Sequence, residues 1–155
     1  MDIQVDVKIV TLPPMRVASQ TAYGPSPEIE AYQGLIAWAQ ENQVLTYPDG
    51  QRIFGFNNPG PTPGSPNYGY EFWMTVPAGT SGSERVEIKD IPGRTYAVIH
   101  CESLSVIGER WRQLINWVQT SGYRAAAGEC LEEYLGPLEL IEEQLIFDLY
   151  QPIND

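Results

Sequence analysis

From Val5 to Val10 apolar and polar residues alternate, the period of a half-buried strand, and a second such run covers Val17 to Tyr23 after Leu12-Pro13-Pro14. Proline fixes φ and removes a donor, so the break reads as a turn and the two runs as a strand pair. The period then changes. Ser26-Pro27-Glu28 offers an N-cap, a proline for the first helical position and an acid for the first turn, and Ile29, Tyr32, Leu35, Ile36 and Ala39 recur at spacings of three and four. That spacing predicts a helix ending near Asn42. Strands are predicted at Gln51–Asn57 and Tyr68–Val76, and the four prolines and two glycines between Asn57 and Pro66 make the connection a structured loop.

The order then repeats. Val86-Glu87-Ile88 leads to Ile91-Pro92-Gly93, an apolar strand at Tyr96–Ile99, and a helix from near Ser105 that puts Ile107, Trp111, Leu114, Ile115 and Val118 on one face before Ser121-Gly122. Strands at about Glu129–Leu135 and Leu145–Tyr150 follow. A shift of 79 positions carries Leu12-Pro13 onto Ile91-Pro92, Tyr32 onto Trp111, Leu35 onto Leu114, Ile36 onto Ile115, Trp38 onto Trp117 and Ala39 onto Val118. Near the end of each half the shift becomes 75, matching Phe72 with Phe147 and Pro77 with Pro152. The chain therefore encodes an α+β fold, a duplicated module within one domain spanning 1–155, with halves of approximately 1–77 and 85–155 joined by Ala78–Glu84. If the halves pack about a pseudo-twofold axis, a ligand cleft is expected between them.

Charge narrows the partners. Nine Lys and Arg stand against 20 Asp and Glu, a net charge of −11, which lacks the basic stripe that nucleic acid or an anionic lipid surface requires. With 43% hydrophobic and 19% charged residues the chain has the material for a core. No basic leader and no apolar run of membrane-spanning length is present, so a soluble, cytoplasmic protein is expected, with two buried thiols, Cys101 and Cys130. A single histidine, His100, following an apolar strand, reads as structural, and no metal, nucleotide or other cofactor motif is found. Ser103 and Ser105 read as helix caps, and Glu139, Glu142 and Glu143 as a solvated face.

Residues that break the repeat are the candidates for chemistry. Cys130–Tyr134 aligns with about Arg52–Phe56, so Glu132 and Glu133 replace Phe and Gly, and Glu71 stands where the other half has Ile146. Strand alternation puts Glu132 with Tyr134 on one face and Glu71 with Trp73 on one face. A carboxylate beside aromatic rings has two uses, holding a hydrophobic cation or acting as a general acid or base, and a solvent-facing Glu is the alternative to both. A one-residue slip in register would exchange Glu132 for Glu133. The matched Trp38 and Trp117 first read as core residues.

Tyr23-Gly24-Pro25, Gly69-Tyr70-Glu71-Phe72-Trp73, Leu131-Glu132-Glu133-Tyr134-Leu135 and Asp148-Leu149-Tyr150-Gln151-Pro152-Ile153 together resemble the GyrI-like family of effector-binding domains, over nearly the whole chain. The resemblance implies two strand-helix-strand-strand modules, each an antiparallel sheet with one main helix, related by a pseudo-twofold with a ligand pocket between them. It also implies a Glu-x-Tyr pair at the pocket, here Glu132 and Tyr134. The regulators of this family bind lipophilic cations, some free-standing members hydrolyse strained cyclopropane-bearing compounds, and another branch protects DNA gyrase by protein contact. Both halves use all 155 residues, so a helix-turn-helix domain is not expected.

Three functions follow. A stand-alone binding module for hydrophobic, often cationic small molecules would use Glu132 as the charge and Tyr70, Trp73, Tyr134 and Tyr96 as walls, with Glu71 and Trp38 as further ligand contacts. A hydrolase would use Glu132 or Glu71 as general base and Tyr134 as the pocket tyrosine. An acidic interaction module would bind a basic protein partner. In the first reading, a Glu132 buried without a partner would have a raised pKa and lose cation binding as pH falls through it.

Overall fold

The protein is described here from a computed structural model covering residues 5–154; residues 1–4 and 155, the ends of the predicted 1–155 domain, lie outside the described residues. Helix α1 runs from Pro27 to Glu41, between Ser26 and Asn42, close to the bounds the periodicity predicts. Ser26 makes no side-chain cap bond, so the start is set by Pro27, whose missing N–H costs nothing there, and by Glu28 and Glu30 against the positive end of the helix dipole. Helix α2, Ile107–Thr120, is preceded by a single 3-10 turn at Leu104–Val106 and ends at Ser121. The strands are β1 Val7–Leu12, β2 Met15–Gly24, β3 Ile53–Asn57, β4 Tyr68–Thr75, β5 Glu87–Ile91, β6 Arg94–Cys101, β7 Arg124–Ala125, β8 Leu131–Tyr134 and β9 Phe147–Asn154. The result is an α+β fold with two helices and antiparallel strands. The two-residue β7 carries no periodic signal and was not predicted.

The chain divides into two compact units. One comprises Met15–Ile91 and orders its strands β3-β4-β2-β5, all antiparallel, with α1 against β2 and β4. Its core is Ala31, Tyr32, Leu35, Trp38 and Ala39 of α1 with Ala18, Ile53, Phe72 and Met74 of the strands, all buried. Tyr32 meets Phe72 edge to face at 5.4 Å, which identifies the face bearing Phe72 as the one α1 covers. Ile29, predicted on the apolar stripe, is 53% exposed. Gly55 exists because the Tyr70 ring fills its side-chain space: a Cβ there would stand 2.3 Å from the Tyr70 hydroxyl.

The other unit comprises, among the described residues, 5–14 and 92–154, and orders its strands β1-β6-β9-β8, with β7 added to β9 and α2 against β6 and β9. Leu114 and Val118 are the buried residues of α2. Ile115 is 45% exposed, and Trp117, half-buried, stacks on Tyr123 at 6.3 Å; of the matched tryptophans only Trp38 is a core residue.

The predicted pairing of β1 with β2 is not formed: β1 pairs with β6, and β2 with β4 and β5. The reason lies in Pro13-Pro14. A two-residue hairpin needs positive φ at one or both of its central residues, and proline is held near −65°, so the chain cannot double back. The expectation of two buried thiols is half corrected: both cysteines are free, Cys101 is buried and Cys130 is exposed. Among the described residues no helix is long and apolar enough to cross a membrane.

Candidate functional site

In the unit formed by Met15–Ile91, alternation puts Glu71 and Trp73 on the face opposite α1, together with their register partners Phe56, Thr21, Phe54 and Ser19. Phe54, Phe56 and Trp73 are buried, and Phe56 meets Trp73 edge to face at 4.7 Å. Glu71 is 2% exposed. Its Oε2 accepts from Ser19 Oγ at 2.6 Å, Trp73 Nε1 at 2.6 Å and Lys89 Nζ at 2.8 Å, and its Oε1 accepts from Asn58 Nδ2 at 2.8 Å. Burial pushes the Glu71 pKa up, but the bonds from Lys89, Ser19, Asn58 and Trp73 outweigh it and hold the carboxyl below its ordinary range. The same pair holds the Lys89 ammonium above its ordinary value against the opposing effect of burial. Ser19 and Lys89 also line an open cavity of about 440 Å³ with Thr21, Arg85 and Glu87. Chemically, Glu71 is an ionised acceptor fully engaged by four segments of chain, a joint between β2, β4, β5 and the loop after β3.

The second unit carries the other acids, and its register separates them. Glu132 lies opposite Leu149 and Tyr134 opposite Phe147, while Leu131 lies opposite Tyr150 and Glu133 opposite Asp148. Trp111 of α2 donates its indole N–H to Glu132 Oε2 at 3.1 Å, so Glu132 and Tyr134 point to the side that α2 covers. Glu132 is half-buried, and Tyr134 packs edge to face on Phe147 at 4.9 Å. Glu133 points to the opposite side and is 6% exposed, with the Tyr150 hydroxyl donating to its Oε1 at 2.6 Å. Tyr96 stands on that same side, edge to face against Tyr150 at 5.4 Å. Arg94 lies over the Tyr96 ring, 5.8 Å from its centroid. Burial pushes the Tyr96 phenol above its ordinary pKa, so it stays neutral.

The residues singled out from sequence thus fall into separate groups. Glu71 and Trp73 come together opposite α1, whereas Tyr70 and Trp38 are buried on the side where α1 packs, Tyr70 against Phe72 at 4.9 Å. Glu132 and Tyr134 share the α2 side, and Tyr96 keeps company instead with Glu133 and Tyr150. Tyr150 was not predicted as a site residue. Its signal was available in the spacing of the last strand: Asp148, Tyr150 and Pro152 share a face by alternation, and only the partner register, which sequence does not give, puts that face against Glu133.

Comparison with known proteins gives the arrangement a family. A protein of Dickeya dadantii (strain 3937) named DNA gyrase inhibitor 2 is 28% identical over 130 residues, 79% of this chain and 80% of that one. The crystal structure of the EcmrR C-terminal domain superposes with a TM-score of 0.73 at 16% identity, covering 98% of this chain and 99% of that one. The structure of SAV2435 bound to tetraphenylphosphonium does so with a TM-score of 0.59 at 10% identity, covering 96% and 94%. The model of the GyrI-like small molecule binding domain matches residues 5–154, and the chain belongs to that family.

Proposed function

We propose that this protein binds hydrophobic, cationic small molecules and that Glu133, Tyr150 and Tyr96 recognise them. The observation that carries the reading is the buried Glu133 carboxylate held at 2.6 Å by the Tyr150 hydroxyl, with the Tyr96 ring edge-on to Tyr150. A carboxylate beside tyrosine rings attracts a soft cation by charge, and the ring faces add cation–π attraction. Glu132, the acid that the family resemblance points to, lies on the α2 side with the Trp111 indole, away from the Tyr96–Tyr150 pair. SAV2435, a relative in fold, was solved with the lipophilic cation tetraphenylphosphonium, which makes that ion the natural probe. The corresponding strand orders β5-β2-β4-β3 and β1-β6-β9-β8, each with one helix, support reading the two units as copies of one module.

The test is a fluorescence titration of tetraphenylphosphonium into the wild type and the Glu133→Gln, Tyr150→Phe and Glu132→Gln variants. Saturable binding that Glu133→Gln weakens about tenfold or more and Glu132→Gln leaves intact supports the reading. Binding abolished by Glu132→Gln alone would move the site to the α2 side. A second reading rests on the net charge of −11 and on the relative named for gyrase inhibition: contact with a basic protein. It predicts association that weakens steeply with salt and is indifferent to Glu133→Gln.

A further inference from the structure

Across β8, β9 and β6 the register sets Glu133 opposite Asp148 and Asp148 opposite His100, so three titratable side chains stand in one row on the face opposite α2. Exposure rises along the row, from 6% at Glu133 to 31% at Asp148 and 59% at His100. His100, read from the sequence as structural, is exposed and has a carboxylate partner. Its Nδ1 lies 2.9 Å from Asp148 Oδ1. With Asp148 ionised, that contact selects the tautomer protonated at Nδ1, which leaves the lone pair on Nε2 at the open end of the row. An imidazole oriented in this way by a carboxylate has the arrangement a general base needs.

We propose that His100, positioned by Asp148, is the base of a hydrolytic activity toward activated esters that carry a cationic group, the cation being held at Glu133 and Tyr150; the proposal rests on the binding reading above. Among the described residues, the hydroxyls and the thiol that follow His100 in the chain have other partners and none is bonded to the imidazole. The Ser103 and Ser105 hydroxyls bond to each other at 2.7 Å, and Cys101 gives its thiol proton to the Ser103 carbonyl at 3.1 Å. The base therefore acts on water. His100 Nε2 takes a proton from the water whose oxygen bonds to the ester carbonyl carbon. The tetrahedral intermediate then expels the alkoxide or phenoxide, and the imidazolium returns its proton to that leaving oxygen, giving carboxylic acid and alcohol with the base regenerated. Two inter-strand spacings, roughly 10 Å, separate the backbones that carry Glu133 and His100, and their side chains rise from the same face. A substrate whose cation and carbonyl are joined by a short chain of atoms spans that distance.

The experiment uses a nitrophenyl ester bearing a quaternary ammonium group and its neutral tert-butyl counterpart as probes, with tetraphenylphosphonium binding measured in parallel. The expected result is turnover of the cationic ester that falls 100-fold or more in His100→Gln while tetraphenylphosphonium binds as in the wild type. Asp148→Asn lowers kcat with KM unchanged, as a positioning residue should, and Glu133→Gln raises KM for the cationic ester only. Turnover no faster than buffer, or turnover that survives His100→Gln, overturns the proposal. If tetraphenylphosphonium binds and the ester is not cleaved, the base assignment alone fails; if it does not bind the wild type at all, the binding reading fails with it.

Discussion

Replacing Lys89 with methionine keeps the aliphatic stem and removes the only cation that touches Glu71 among the described residues. Taking one partner from a buried ion pair costs about 3–5 kcal/mol. Two features of this site reduce that. Lys89 is 34% exposed, so water screens part of its charge, and the bonds from Ser19, Trp73 and Asn58 remain to hold the carboxylate. The expected loss near neutral pH is about 2–3 kcal/mol, which lowers Tm by about 5–10 °C in a chain of this size. The pH dependence is the sharper measurement. In the wild type Glu71 has a folded pKa below its unfolded one, so its contribution is fully present above the ordinary carboxylate range and is lost as pH falls through the folded value. Without Lys89 one of the four bonds that lower this carboxyl is gone while burial remains, so its folded pKa is expected to rise. Glu71 then contributes less stability above the carboxylate range, while the protonated form loses little. Urea unfolding of both proteins at about pH 4 and about pH 7 should show a gap that is larger at the higher pH. The double variant Glu71→Gln, Lys89→Met should recover most of the loss, since no buried charge is left unmatched. A cost below about 1 kcal/mol that is equal at both pH values would refute the argument and make the contact an ordinary screened surface pair.

Other substitutions read other parts of the fold. Gly69→Ala would put a Cβ 1.9 Å from the backbone oxygen of Asn58, so a loss of about 2–3 kcal/mol is expected, together with a displaced Asn58 contact to Glu71; thermal unfolding measures the first and the Trp73 fluorescence the second. Tyr150→Phe leaves the buried Glu133 without its hydroxyl donor and should cost about 1–3 kcal/mol in urea unfolding. Leu114→Ala empties the fully buried contact of α2 with its strands, with an expected loss of about 2–5 kcal/mol by the same assay.

Periodicity made both helices and the long strands legible, because an apolar stripe such as Tyr32, Leu35 and Ala39 has to be buried and α1 buries it. It could not say which strand lies beside which. Pro13-Pro14 reads as a turn because proline stops a strand, yet the same fixed φ forbids the hairpin that a turn would close. The candidate acids show the same limit at one residue. Glu132 and Glu133 are equivalent in composition and differ only in the side of β8 they leave from, and that side follows from register against β9 and from the Trp111 contact. Glu71 was readable as an acid beside Trp73, whereas its ion pair with Lys89, 18 residues on, was not, since it depends on β5 joining β2 rather than β6.

That pairing bears on how the protein is made. As the chain leaves the ribosome, Met15–Ile91 is a continuous stretch that can complete its own four-strand order as soon as Ile91 is clear. Strand Val7–Leu12, which emerges before that stretch, waits longest of the described strands, because its partner Arg94–Cys101 is synthesised more than 80 residues later. Throughout that interval β1 carries an unpaired edge of alternating apolar residues, the kind of segment that pairs with the wrong chain, and nascent copies truncated before Arg94 should therefore be the aggregation-prone ones.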